Sequence, residues 1–161
     1  SYSEKNKDLI KRLIEISDLS LYDYNKVSSQ IKDALVDENP WVRYWGLIVS
    51  STFGDQALEN NEKVNFIFEN DSENLVRMRA AEFMLLNNIE ISDSKINSLL
   101  VRSNFEAEAN LMLNTLANLK TKNSNFKLEL GKEVYPDDWF PPIRNENALV
   151  NRRMNYLTNN E

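Results

Sequence analysis

One eleven-residue stretch occurs twice in this chain. Asp37-Glu38-Asn39-Pro40-Trp41-Val42-Arg43-Tyr44-Trp45-Gly46-Leu47 returns as Asp71-Ser72-Glu73-Asn74-Leu75-Val76-Arg77-Met78-Arg79-Ala80-Ala81, which sets Val42 and Val76 34 residues apart. A weaker third copy runs from Ser103 to Leu111, with Glu106 30 residues beyond Val76. Each copy ends one helix-like apolar run at a polar break and begins another. A period in the thirties made of two short helices marks an α-solenoid, whose units bury their apolar faces only against their neighbours. The expected fold is therefore all-α: a solenoid of antiparallel helix pairs, followed by an irregular C-terminal arm and a terminal helix.

The hydrophobic pattern divides the chain into a lead-in helix and connection over 1–25, repeats over 26–120, and an arm with a capping helix over 121–161. Leu9, Ile10, Leu13, Ile14 and Ile16 give Asp8 to Asp18 a helical period. Leu19 to Tyr24 reads as a connection, and Asn25 to Val36 resumes the period. Asn39 is the expected N-cap of the next helix, with Pro40 in the first-turn position that tolerates a missing N–H. That helix closes near Gly54. The second unit pairs Lys63–Glu69 with Leu75–Leu86, and the third pairs Ser94–Val101 with Phe105–Leu119. Val42, Trp45, Val49, Val76, Ala80, Phe83, Leu111 and Leu116 are the expected core. Beyond Lys120, the prolines of Tyr135 to Pro142 exclude a continuous helix there, and Glu146 to Leu157 reads as one last helix.

Composition narrows the function. A chain of 161 residues, 42% hydrophobic and 27% charged, suffices for one continuous core. A net charge of −6 argues against a nucleic-acid partner, since neutralising phosphates takes clustered Lys and Arg. With no Cys there is no disulfide, thiol nucleophile or Cys-based zinc site, and with no His the commonest general base and metal ligand are missing. No apolar run approaches the ~20 residues that span a bilayer. The start, Ser1-Tyr2-Ser3-Glu4-Lys5, is polar and lacks an initiator Met, as in a processed or excised fragment.

Two groups of residues stand out, and each has a structural and a functional reading. Arg43 and Arg77 each follow a core Val and stand six residues after Asp37 and Asp71. A ladder of Asp–Arg pairs along the stack is the structural reading; an anion-binding Arg row on the concave face is the functional one, and Arg79 is a further interface candidate. Trp41, Tyr44 and Trp45 crowd three aromatics into five residues. Trp45 falls near the face of Val42 and Val49, while Trp41 and Tyr44 are the more exposed and form a candidate partner or sugar-stacking surface. In the C-terminal arm Trp139, Phe140 and Arg144 are further interface candidates. Asp137-Asp138 superficially resembles a metal-binding carboxylate pair, but a hard cation needs several convergent oxygen ligands at a recognisable spacing, and a turn dipeptide suffices.

The run Leu35-Val36-Asp37-Glu38-Asn39-Pro40-Trp41-Val42-Arg43-Tyr44-Trp45-Gly46, with Val76-Arg77-Met78-Arg79-Ala80-Ala81-Glu82 after it, resembles the HEAT-like helical extension at the C-terminus of Bacteroidetes-type secreted sulfatases. The resemblance spans Leu13 to Leu119. It implies HEAT-like helix pairs, a periplasmic or extracellular location, and a parent polypeptide that hydrolyses sulfuric esters. Such enzymes use a formylglycine made within Cys/Ser-x-Pro-x-Arg, beside a calcium held by Asp and Asn. The nearest string here, Phe140-Pro141-Pro142-Ile143-Arg144, has Phe140 in place of the nucleophile, so no catalytic residue carries over and no cofactor is expected in this chain. The calcium belongs to the parent's catalytic domain. The resemblance thus implies a non-catalytic module that packs on the catalytic domain of the same polypeptide or mediates assembly with another protein. An autonomous HEAT-type adaptor is the alternative. A repeat-type DNA-base-removing enzyme is a third reading, against which the net charge argues.

Overall fold

The computed structural model describes residues 2–102 and 106–122, and within them the chain is helical throughout, with no strand. The elements are α1 (Tyr2–Asp18), α2 (Tyr24–Leu35), α3 (Pro40–Thr52), α4 (Asn61–Asn70), α5 (Asn74–Leu86), α6 (Asp93–Val101) and α7 (Glu106–Lys122), with 3-10 segments at Leu19–Leu21 and Gly54–Asn60. None of these helices is long and apolar enough to cross a membrane. The chain divides into two compact units, Ser1–Asn88 and Ile89–Glu161. Most of the arm and the terminal helix assigned to 121–161 fall outside the described residues, though α7 itself continues through Thr121 and Lys122.

In the first unit α1, α3 and α5 lie side by side in one layer, and α2 and α4 pack against α3 and α5 respectively. The repeated motif builds the start of each inner helix. Asn39 caps α3 by accepting the amide of Trp41 at 2.9 Å, and Pro40 occupies the first turn. The repeated aspartates fold the turns that precede these helices. Asp37 Oδ1 accepts the amide of Asn39 at 2.8 Å, and Asp71 Oδ1 accepts that of Glu73 at 2.9 Å. Each is an Asx-type turn, in which a short carboxylate stands in for a backbone acceptor. The helix ends are equally local in origin. α3 stops before Gly54, whose φ of +53° suits a residue without Cβ, and α5 stops before Asn88 at φ 58°, where Asn is tolerated.

The core of this unit runs through Ile31 and Leu35 of α2, Val42, Leu47 and Val49 of α3, Val64 and Phe68 of α4, and Val76, Ala80 and Phe83 of α5, all buried. Such short helices depend on this mutual burial, since isolated helices of their length are marginal in water. Trp45 is only half-buried. In the second unit α6 buries Ile96, Leu99 and Leu100, and α7 buries Ala109, Met112, Leu113 and Leu116. Leu111, expected in the core, is 47% exposed. At 100° per residue it lies about 160° around the helix from Ala109, off the stripe that Met112, Leu113 and Leu116 continue.

Two features had no sequence signal. Tyr24, assigned to a connection, is the first residue of α2 and is buried. The segment Gly54–Asn60, for which no element was expected, wedges between α2 and α4 and places Glu59 and Asn60 on the Tyr24 hydroxyl. That hydroxyl donates to Glu59 at 2.7 Å and accepts from Asn60 Nδ2 at 3.1 Å, while Lys32 holds the other Glu59 oxygen at 2.8 Å. Burial, aided by the Glu59 carboxylate, pushes the Tyr24 phenol up to about 12. A phenol whose folded pKa exceeds its unfolded value stabilises the fold below pH 10 and ceases to do so as pH rises toward 12. The melting temperature is therefore expected to fall over that interval, and to fall less in Tyr24→Phe. Equal alkaline slopes for the two proteins would show that Tyr24 does not carry the effect.

Candidate interaction surface

The arginines of the repeated motif are engaged inside the fold. Arg43 leaves α3 toward the turn before α5 and grips Asp71 with two parallel bonds, Nε to Oδ2 at 2.7 Å and Nη2 to Oδ1 at 2.9 Å. Its Nη1 donates to the carbonyls of Asp37 at 2.7 Å and Glu38 at 3.0 Å. One guanidinium thus ties together the turns before α3 and α5. The hydrogen bond to Asp71 raises the Arg43 pKa against the opposing effect of burial, so the cation is native to this position. Arg12 of α1 repeats the pattern one helix earlier by donating to Asp37 Oδ2. Each repeated aspartate therefore spends one oxygen on its own turn and also accepts the arginine of the preceding inner helix. Arg77 donates its Nε–H to the carbonyl of Phe68 at 2.6 Å, with its guanidinium 6.0 Å from the Phe68 ring centre.

Arg79 and the aromatic cluster form a second assembly. The Arg79 guanidinium lies 5.0 Å from the centre of the Tyr44 ring, donates to the Tyr44 hydroxyl at 2.9 Å, and pairs with the buried Glu82 at 2.7 Å. Burial disfavours its charge, but the attraction and hydrogen bond of Glu82 and the bond to Tyr44 outweigh that and raise its pKa. Its Nε–H is buried without a partner. Tyr44 meets Trp41 and Trp45 edge-on, with ring centres 5.9 and 6.4 Å apart. Of the three aromatics Trp41 is the exposed one, at 47%. The structure thus brings Trp41, Tyr44 and Arg79 together and sets Arg43 on a separate polar junction. Trp139, Phe140 and Arg144 lie outside the described residues.

The ladder also fixes which flank of each inner helix faces which neighbour. Two positions along a helix turn it by ~200°, so residues two before and two after a ladder arginine occupy the opposite flank. Arg12 points toward α3 and Arg43 toward α5. The bracketing pairs Ile10 and Ile14 in α1 and Trp41 and Trp45 in α3 therefore lie on the flank turned away from the following helix, and in α5 Arg79 reaches back to Tyr44 of α3. Trp45, Leu75 and Arg79 are half-buried. Ile10 and Ile14 stand at 56% and 54% exposure. The adjoining face of α1 is polar, with Lys11 and Glu15 as an exposed pair at 3.8 Å. The first helix of the layer thus carries a narrow exposed apolar flank, Ile10 and Ile14, on the side away from α3. Sequence inspection missed this flank because Ile10 and Ile14 belong to an apolar period that reads as ordinary core.

Comparison with protein-family profiles, with curated proteins and with solved structures gives no match for this chain.

Proposed function

We propose that this chain is a HEAT-like helical-repeat module, the non-catalytic C-terminal extension of a sulfatase polypeptide, and that its α1 flank seats against the neighbouring catalytic domain. The exposed Ile10–Ile14 flank supports this reading, because it leaves an apolar edge on the side of α1 away from α3 where a further element can pack. Two isoleucines already about half-buried would contribute ~1 kcal/mol each on leaving water altogether. The polar Lys11–Glu15 face beside them argues for a contact at the edge of the layer only, as a domain boundary requires. The sulfatase assignment rests on the resemblance of Leu13–Leu119; ester hydrolysis and its calcium would lie in the catalytic domain, and the location would be periplasmic or extracellular.

The test begins with the gene upstream of Ser1, which should encode Cys/Ser-x-Pro-x-Arg. In that intact polypeptide, Ile10→Glu combined with Ile14→Glu should speed amide exchange of α1 and open the domain junction to limited proteolysis. The isolated chain should give no turnover of an aryl sulfate, with or without calcium. An upstream frame without the motif would defeat the sulfatase assignment, and unchanged α1 exchange in the double variant would defeat the docking edge.

A further inference from the structure

The helices of the first unit are unequally anchored. α2 and α3 each bury five residues, and α5 buries eight. Over residues 6–18 of α1 the one buried side chain is Ile16, with Leu9 and Leu13 half-buried. From the same residues, the side-chain hydrogen bond to α2, α3 or the turn between them is that of Arg12 to Asp37. Water reaches that arginine, whose side chain is 52% exposed. Segments with few buried apolar contacts and solvent-reached polar ties open at the low end of a protein's local stabilities.

The connection that follows α1 is held only by itself. Leu19–Leu21 buries no residue, and Leu21 and Tyr22 are exposed. Its hydrogen bonds are local: Ser20 Oγ donates to the Ser17 carbonyl at 2.8 Å, and the Tyr22 amide to the Leu19 carbonyl at 3.2 Å. Firm anchoring resumes at Tyr24, which is buried and bonded to Glu59 and Asn60. The far side of the rung is equally independent of α1. Asp37 Oδ1 stays on the Asn39 amide, and the Asp37 carbonyl stays on Arg43, whether or not Arg12 is in place. Loss of α1 thus removes one rung and one buried side chain, and leaves the Arg43–Asp71 rung between α3 and α5 whole.

We infer that α1 is a detachable strap: it leaves the α2–α5 body as one unit, with the Arg12–Asp37 rung as its catch and Leu19–Tyr22 as its hinge, while the body stays folded. Once free of α3 the segment loses its helix, because α1 contains no alanine and a lone helix of such length and composition is marginal in water. Closure restores the rung at Asp37, so any contact that holds α1 shut also secures the turn that starts α3. The motion is a property of the first unit alone and rests neither on the sulfatase assignment nor on what covers Ile10 and Ile14.

Native-state amide exchange of the full chain, read residue by residue by NMR, tests this. Amides of residues 10–18 should share one opening constant, roughly a hundredfold or more above that of the core amides of α3 and α5. In urea below the unfolding transition, α1 exchange should rise less steeply than that of α3 and α5, since detachment exposes less surface. Arg12→Ala should speed α1 exchange about fivefold or more, because it removes the catch. Val64→Ala, in the core of the body, should speed exchange in α3 and α5 and leave α1 as in the parent. If that variant does not fold, the urea series on the parent makes the same distinction. Simple fraying would instead fade from the N-terminus and leave Ser17 and Asp18 as slow as α3. That pattern, α1 amides that exchange together with α3, indifference of α1 to Arg12→Ala, or equal acceleration of α1 and α3 by Val64→Ala would each overturn the proposal.

Discussion

Arg43→Ala should cost about 3–5 kcal/mol in equilibrium urea unfolding, the usual cost of removing one partner from a buried ion pair. The Asp71 side chain is only 4% exposed and that of Arg43 15%, so truncation strands a carboxylate that water barely reaches. It also strips the Asp37 and Glu38 carbonyls of their shared donor. Arg43→Lys should recover only part of the loss, because one ammonium cannot supply the paired bonds to Asp71 and still reach both carbonyls. Arg43→Ala with Asp71→Ala should cost less than the sum of the single changes, since the second removes the stranded charge. The outer rung gives the contrast. Arg12 is 52% exposed in its pair with Asp37, whose side chain is 10% exposed, and Arg12→Ala should cost less than Arg43→Ala, about 1–2 kcal/mol, because water reaches the arginine but only partly the carboxylate. Similar losses for Arg12 and Arg43 would show that burial does not set the strength of these rungs. Against a typical domain stability of ~5–15 kcal/mol, loss of the inner rung alone would leave a marginal protein.

How much of this was visible beforehand depends on the range of the interaction. The Asn39–Pro40 start of α3, the stop at Gly54 and the helical content are written in neighbouring residues, and these were legible. The pairing of Arg43 with an acidic turn residue of the next unit was also legible, because the motif repeats and the repeat supplies the missing long-range partner. Arg12 belongs to no copy of the motif, so its place as a rung appears only when α1 is seen beside α3. Tyr24 fails for the same reason. Its partners Glu59 and Asn60 come from a polar stretch without apolar periodicity, and nothing in Leu19 to Tyr24 announces a buried residue. Leu111 shows the opposite error, since apolarity was read without its helical phase.

The candidate surfaces divide likewise. Exposure of Trp41 followed from its place on the helix, but the engagement of Tyr44 by Arg79 joins two copies of the motif through residues that differ between them. Position 44 is Tyr in one copy and its counterpart is Met78 in the other; Trp45 corresponds to Arg79. A repeat pattern exposes what the copies share. It is blind to contacts made where they diverge, as in the aromatic cluster, and to residues outside every copy, as in the Ile10–Ile14 flank.

Gly46 gives the second large effect, and it also lies where the copies diverge. A glycine inside a helix costs ~0.5–1 kcal/mol relative to alanine, so its place in α3 calls for a compensating contact. A Cβ at this position would stand 3.0 Å from Ala34 Cβ, 3.4 Å from the Ala34 carbonyl carbon and 3.5 Å from the Leu35 amide nitrogen. Ala34 and Leu35 belong to the last turn of α2, so the missing side chain is what lets α2 lie close against α3. Gly46→Leu should therefore force the helices apart and destabilise by about 3 kcal/mol or more, the upper range for overpacking a filled core. Gly46→Ala should come out much nearer neutral, because the gain in helix propensity offsets part of the clash, and Ala34→Gly added to it should recover stability. The counterpart in α5 is Ala80, which is fully buried with its methyl in place, so the second helix pair leaves room there that the first lacks. Ala80→Gly should accordingly lose about 1 kcal/mol with no gain elsewhere. Thermal melts of these four variants decide the matter: a Gly46→Leu protein that melts with the parent would mean that α2 can yield without cost, and that close approach is not why glycine occupies this turn.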